Sequence, residues 1–408
     1  MRAAKPPLPT SVTDSDIPPL RNLYIHVPFC AQKCAYCAFY SKEPDGELLE
    51  RYVQALIREL ELVASDLRPE TVFFGGGTPS LLSIAHWRRI LEAMERLDLL
   101  GAEEWTVECN PATVSKDKAQ LLRAFGVNRI SMGVQSLDDT LLERLGRVHT
   151  REMVFKSFDV LRGAGFDNLN LDLMFAFPGQ TMELWRRTLA AIAEFGSEHL
   201  SCYEVIYEED TALFAQLKAG EFEVDEELAA AMHAELCATA DRLGYTQYEV
   251  ANFARGEIGK PGIPARACRH NVNYWRAGSY YGLGPSAAGY ERGVRTKNYS
   301  NTEMYCESLE RGNRAIESRE ELPPLERAGE TAAFGLRMNS GWGFEEFRRI
   351  SGFDLRERWE GEMEKLVALD YARRDEGRFQ LTAQGMRYAD WAAELFLKTE
   401  NDEAGVVS

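Results

Sequence analysis

The stretch "HVPFCAQKCAYCAFY", residues 26–40, carries three of the chain's eight cysteines, Cys30, Cys34 and Cys37, spaced C-x3-C-x2-C. A fourth thiol two residues further on would fall at position 39, which is Phe39. The motif follows a β-rich run at 23–29, so the thiols stand just past the end of a strand. The residues alone leave three readings open. A structural zinc site needs four ligands, and His26 would have to complete it. That histidine lies within the strand and points to the same side as residues 24 and 28. The thiols could also be an inert buried group. The third reading is a [4Fe–4S] cluster, usually held by four thiolates; with three, one iron is left open for a substrate.

Working outward, β-rich runs at 23–29, 71–75, 105–109, 128–134, 168–175 and 200–206 alternate with amphipathic stretches. Those stretches cover 47–65, 84–97, 116–125, 153–163 and 182–195. Repeated strand-then-helix units predict an α/β fold with a parallel sheet and right-handed crossovers. No G-x-G-x-x-G follows the first strand, which argues against a dinucleotide-binding sheet. Cys30, Gly75, Glu108, Gln135 and Asp172 fall at or just after strand ends, where a β/α barrel places its chemistry. Six units are too few to close an eight-stranded barrel, so a partial (β/α)6 barrel with an open side is expected, spanning 21–245.

Residues 246–310 are rich in Tyr, Gly and Asn and are expected to complete the site. Residues 311–397 turn helical again and include a two-stranded ribbon around 375–378, the pattern of a winged-helix-like domain. It lacks a basic stripe, so a structural or partner-docking role is expected there rather than DNA binding. The ends, 1–20 and 398–408, read as disordered tails.

The chain has 408 residues, 45% of them hydrophobic, and a formal net charge of −17. That charge works against nucleic acid and anionic membrane. No apolar run approaches the roughly 18 residues of a membrane span, and no signal peptide is evident. The cytoplasm is the expected compartment, where thiols stay reduced.

With the strand order in place, the cysteine motif and "GGGTPS" at 75–80 resemble the radical S-adenosylmethionine (SAM) superfamily. The resemblance implies a [4Fe–4S] cluster on Cys30, Cys34 and Cys37. It also implies that the open iron chelates the amino and carboxylate groups of SAM, which is cleaved to a 5′-deoxyadenosyl radical. "YIHVPFC", "VECNP", "ISMGVQS", "LGRVHT" and "LDLMFAFPGQT" resemble the oxygen-independent coproporphyrinogen III oxidase-like group. By that resemblance Tyr24, Gly75 and Glu108 contact the cluster-bound SAM. Tyr36, Gly76, Gly77, Gln135, Arg147 and Asp172 contact a second SAM or the substrate.

The decarboxylating enzymes of that group carry a fourth cysteine where this chain has Phe39. The sister group with Phe there is the radical SAM haem chaperone family, which also carries H-N-x-x-Y-W, matched by His270, Asn271, Tyr274 and Trp275. This implies a carrier with haem as cargo, His270 as its axial ligand, and Cys268 as the other candidate. Acceptor haemoproteins, including any at the membrane surface, and an electron donor for the cluster are the implied partners. After "YGLG", Ala288 stands where those chaperones usually have a histidine. The rival readings are coproporphyrinogen III decarboxylation and methyl transfer to a heteroaromatic substrate.

Overall fold

A computed structural model describes residues 18–397; of the expected tails at 1–20 and 398–408, residues 1–17 and 398–408 lie outside them, and Leu20 already begins the first strand. Six strands alternate with helices along the first half of the chain. The strands are β1 (Leu20–Val27), β2 (Leu67–Gly76), β3 (Glu104–Cys109), β4 (Arg129–Gln135), β5 (Leu169–Phe175) and β6 (His199–Glu204). The helices are α1 (Gly46–Val63), α2 (Ile84–Arg96), α3 (Lys116–Ala124), α4 (Asp139–Arg144), α5 (Arg151–Gly163) and α6 (Met182–Phe195). Side-chain caps set their starts: Thr150 accepts from Met153 N and Thr181 from Leu184 N, satisfying amides that have no partner within the helix.

Each strand pairs in parallel with the next, from β1 to β6. The arc stops short of closure. Beyond β6 run α7 (Ala212–Lys218), α8 (Glu226–Arg242), β7 (Thr246–Gln247) and β8 (Asn252–Ala254), and β8 is antiparallel to β6. Then come α9 (Arg269–Trp275) and β9 (Tyr281–Leu283), which pairs in parallel with β1. The sheet therefore has nine strands, ordered β7-β8-β6-β5-β4-β3-β2-β1-β9. The partial barrel is as expected. The three added strands have two or three residues each, too short to display a period of two.

Alternation within the strands separates core from lumen. Leu23, Ile25, Val72, Phe74, Trp105, Val107, Ile130, Met132, Leu171 and Leu200 are all buried in the apolar layer under the helices. Phe74 packs against Trp87 at 5.0 Å and stacks on Trp105 at 6.3 Å. The alternate residues, among them Tyr24, Thr71, Glu108, Ser131, Asp172 and Ser201, face the lumen. Parallel strands are usually apolar on both faces, so this polar inner face marks where ligands are received.

The segment after β9 forms a second sheet, β10 (Ala288–Glu291), β11 (Val294–Asn298) and β12 (Ile316–Glu321), with α10 (Thr302–Glu310) between the last two strands. Glu59 of α1 holds this region to the barrel. Its carboxylate accepts from Gly284 N at 2.8 Å, Tyr305 OH at 2.7 Å and Asn298 Nδ2 at 2.9 Å. From α11 (Pro324–Leu336) onward, helices and a three-stranded antiparallel sheet enclose a separate core around Trp342, Phe347 and Trp359. The ribbon expected near 375–378 is there, joined by a third short strand at Trp342–Gly343.

Glu59→Ala would leave three buried donors without an acceptor. A loss of about 2–3 kcal/mol is expected, read as a lowered melting midpoint, with Glu59→Gln intermediate. An unchanged midpoint in Glu59→Ala would show that the carboxylate holds nothing.

Candidate functional site

The cysteine loop leaves β1 and is closed at its base by Cys30 N donating to Lys42 O (2.9 Å) and Lys42 N to Pro28 O (2.7 Å). Its middle is tied to two other elements. Ala35 N donates to Leu145 O at 3.1 Å, and Leu213 N of α7 donates to Ala35 O at 2.9 Å. All eight cysteines are free. Cys30, Cys34 and Cys37 are half-buried in one loop, whereas Cys109, Cys202, Cys268 and Cys306 are buried elsewhere. Arg147 Nη1 donates to Cys34 Sγ at 3.4 Å, which sets a guanidinium beside the cysteine loop. Burial pushes the Cys37 thiol up, and Cys34 and Cys30 add to the shift, so the three feel one another.

His26 does not join the thiols. Its Nε2–H donates to Tyr40 O at 2.9 Å, which leaves Nδ1 to accept from Tyr24 OH at 3.1 Å. Burial holds the ring neutral, with its pKa lowered to about 4. The zinc reading thereby loses its fourth ligand. Among the described residues no three His, Cys, Asp or Glu side chains gather closely enough to hold a single ion. A four-iron cubane is a wider object, and three thiols with a cationic neighbour suit it.

Gly75, Gly76 and Gly77 run against this loop. Gly77 N donates to Val27 O (2.8 Å) and Thr78 N to Phe29 O (2.7 Å), lacing the ends of β1 and β2 together. A Cβ on Gly77 would lie 2.7 Å from Phe29 O, and one on Gly76 2.4 Å from the His26 ring. Gly76 also has φ +101°, which side chains disfavour. The same glycine amide donates to Glu108.

Glu108 is half-buried at the end of β3. Burial raises its carboxyl to about 8, with the like charge of Asp172 adding to the shift. Burial is also the first cause that raises Asp172, against hydrogen bonds from Asn170 Nδ2 (2.7 Å) and Ser131 Oγ (3.2 Å). Two acids facing one lumen, with Tyr24 beside Glu108, form a receptor for a cation.

Gln135 ends β4 with φ +64°, a strained conformation for a side chain other than glycine. A Cβ on Gly133 would touch both Arg147 and Gln135, so these two side chains converge. Arg147 Nη2 donates to Gly133 O at 2.6 Å, while its Nε is buried without a partner. Tyr36, on the cysteine loop, faces Cys34 and Arg147. The structure therefore brings together Tyr24, Tyr36, Gly75, Gly76, Gly77, Glu108, Gln135, Arg147 and Asp172 with the three thiols.

His270 stands apart. It is 1% exposed, and its Nδ1 lies 2.7 Å from Thr71 Oγ1. Thr71 gives its own proton to Asn22 Oδ1 at 2.8 Å, so Nδ1 is the donor. Nε2 then accepts from Tyr274 OH at 2.7 Å. No lone pair remains for iron, and the expectation of His270 as the axial ligand is corrected. Thr71 lies in the half of β2 away from the glycines. Cys268 is also fully buried; its thiol, pushed up to about 12 by burial, contacts Glu104. Glu104 accepts from Arg269 N and His270 N, capping α9 on the barrel floor.

Reading the sequence missed how the floor is built. His199 Nδ1 donates to Asn170 Oδ1 at 2.6 Å and its Nε2 accepts from Tyr248 OH at 2.8 Å, and Asn170 in turn orients Asp172. Part of the signal was available: Asn170 on β5 and His199 on β6 sit on the same face as Asp172. Phe39 is 67% exposed beside the thiols.

The chain matches the radical SAM superfamily over residues 24–192 and the HemN C-terminal domain over 322–388. It is 33% identical over 378 residues to a protein of Lactococcus lactis named heme chaperone HemW, spanning 92% of this chain and 97% of that one. The Bacillus subtilis protein of the same name is 32% identical, over 90% and 96% of the two chains. The fold is similar to that of Escherichia coli coproporphyrinogen III oxidase (HemN), with a TM-score of 0.80 and 24% identity over 93% and 90% of the two chains. With thiols, glycines and acids assembled on a partial barrel, and relatives matched along nearly their whole length, the chain belongs to the HemW family of radical SAM proteins.

Proposed function

We propose that this protein is a haem chaperone that holds a [4Fe–4S] cluster on Cys30, Cys34 and Cys37 and binds SAM beside it. One observation supports the carrier reading above the others: position 39 is an exposed phenylalanine where the decarboxylating enzymes place a cysteine. The names of the full-length relatives support the same reading. The likeness to the coproporphyrinogen oxidase concerns the fold, and no residue of the site favours methyl transfer.

The bound cluster would supply one-electron reducing power to SAM, drawn from an external electron donor. The chain's own residues do the rest. Glu108 and Asp172 accept from the amino and hydroxyl groups of SAM, and Arg147 meets a carboxylate. Tyr24 is steered by His26, whose other nitrogen grips the end of the cysteine loop, so cluster loop and SAM pocket move as one. The acceptors are haemoproteins of the cytoplasm or its membrane surface. No helix among the described residues is long and apolar enough to cross a membrane.

Anaerobic reconstitution should load close to one [4Fe–4S] per chain. Ala at position 30, 34 or 37 should abolish loading, while Cys109, Cys202, Cys237 and Cys306 are dispensable; zinc without iron would end the reading. A second expectation concerns protons. Below about pH 8 the free carboxyl of Glu108 is protonated, and its ionised form is the stronger acceptor for the SAM amino group. SAM affinity should therefore rise with pH and level off above about 8. Glu108→Gln should flatten that rise and lower affinity at high pH roughly ten- to a hundredfold. Calorimetry in two buffers would detect the released proton, and a pH-independent wild type would take Glu108 out of the site. The activity test is a haem titration run beside a coproporphyrinogen III assay with SAM and reductant. Haem binding without decarboxylation is expected, and SAM-dependent decarboxylation would make the protein the oxidase.

A further inference from the structure

The start and middle of the cysteine loop are held by backbone bonds, but its trailing arm is held by side chains. Past Cys37, Ala38 and Phe39 are exposed. The next residue, Tyr40, is gripped at both ends. Its carbonyl accepts from His26 Nε2 at 2.9 Å. Its hydroxyl accepts from Thr302 N at 2.9 Å and shares a second bond with Thr302 Oγ1 at 3.1 Å. Thr302 is the first residue of α10, 262 positions further along the chain.

The first four amides of a helix have no partner within it. In α10, Asn301 Oδ1 takes the amide of Met304 at 2.8 Å, and Tyr40 takes that of Thr302. The helix is thus capped in part from the cysteine loop. Thr302 is fully buried, so Tyr40 is the partner that keeps its polar atoms satisfied. α10 is also a firm anchor. Thr302, Tyr305, Cys306 and Leu309 are buried at helical spacing. Tyr305 lies against Tyr52 of α1 at 6.3 Å, and Tyr52 OH donates to His26 O at 2.9 Å. Arg51 Nε donates to Glu310 Oε1 at 3.0 Å at the far end. α10 is therefore braced along α1, and α1 is tied to the same histidine that holds Tyr40. Lys42 Nζ pairs with Glu303 as well. Both of those side chains are partly exposed, and a screened surface pair holds little.

We propose that Tyr40 and Thr302 are positioning residues for the cluster, fastening the arm that follows Cys37 to α10. Tyr40 is three residues past Cys37, at most about 10 Å of chain, so slack at its hydroxyl reaches the thiolate. The inference rests on the cluster reading and names what keeps its loop in place. It has a reciprocal consequence. If α10 steadies the loaded loop, the loaded loop steadies α10.

The test compares cluster-loaded wild type with Tyr40→Phe, Thr302→Val and the double variant, with Lys42→Gln as control. Iron loss to a ferrous chelator, followed anaerobically, should be roughly fivefold faster in Tyr40→Phe, the worth of one neutral hydrogen bond. The double variant should be no faster than Tyr40→Phe, because both residues act through one contact. Lys42→Gln should stay within about twofold of wild type. Hydrogen exchange over residues 302–310 should slow when the wild type takes up its cluster and should not respond in Tyr40→Phe. A merely structural contact would lower the melting midpoint of the cluster-free protein without that difference between loaded and empty states. Thr302→Val, which keeps the branched shape, carries the test if Tyr40→Phe fails to fold. Wild-type iron loss in both single variants, or additive losses in the double variant, would overturn the proposal while leaving the cluster reading intact. A wild type that takes up no iron would overturn both.

Discussion

Two short backbone bonds organise the site. Gly77 N to Val27 O and Thr78 N to Phe29 O join the ends of β1 and β2 at the point where the cysteine loop begins. They form only because residues 76 and 77 lack side chains: a Cβ at either would meet the His26 ring or the Phe29 carbonyl well inside contact distance. The thiols, the glycine amides and Glu108 thus share one rigid junction. Glu108 accepts from the Gly76 amide, and His26 fills the space that glycine leaves open.

The cost of this design lies in the lumen. Arg129 and His199 are buried, and Glu108 and Asp172 half-buried, inside a barrel whose strands would more stably be apolar on both faces. Burying such groups is tolerated where hydrogen bonds satisfy them. The relay from Tyr248 through His199 and Asn170 to Asp172 does this on one side, and Thr71, Asn22 and His270 do it on the other. Glu108 and Arg147 keep unsatisfied capacity. One is held protonated by burial and a like charge, and the other has a buried Nε without a partner. Those are the groups poised to gain from a ligand.

The H-N-x-x-Y-W helix links this interior to the outside. Glu104 caps its start, His270 anchors it to β2, and Tyr274 and Trp275 emerge into an aromatic wall shared with α11. The motif divides by side-chain direction. Its histidine is structural, and its aromatic residues face the surface where the two domains meet.

Much of this was legible in the chain. The six strands, their helices and the cysteine loop after β1 were readable because long periodic segments carry their own signal, and the three thiols because their spacing is local. The acids and glycines at strand ends were readable for the same reason, since a barrel converts position along a strand into depth. What the sequence could not contain was direction across the fold. β9 joins β1 from more than 250 residues away, and its three residues have no period to read. His270 looked like a ligand because the resemblance carried by H-N-x-x-Y-W implied one. Only the packing of α9 under β2 decided that both its nitrogens face protein, because a side chain's free lone pairs depend on neighbours that the backbone brings from elsewhere.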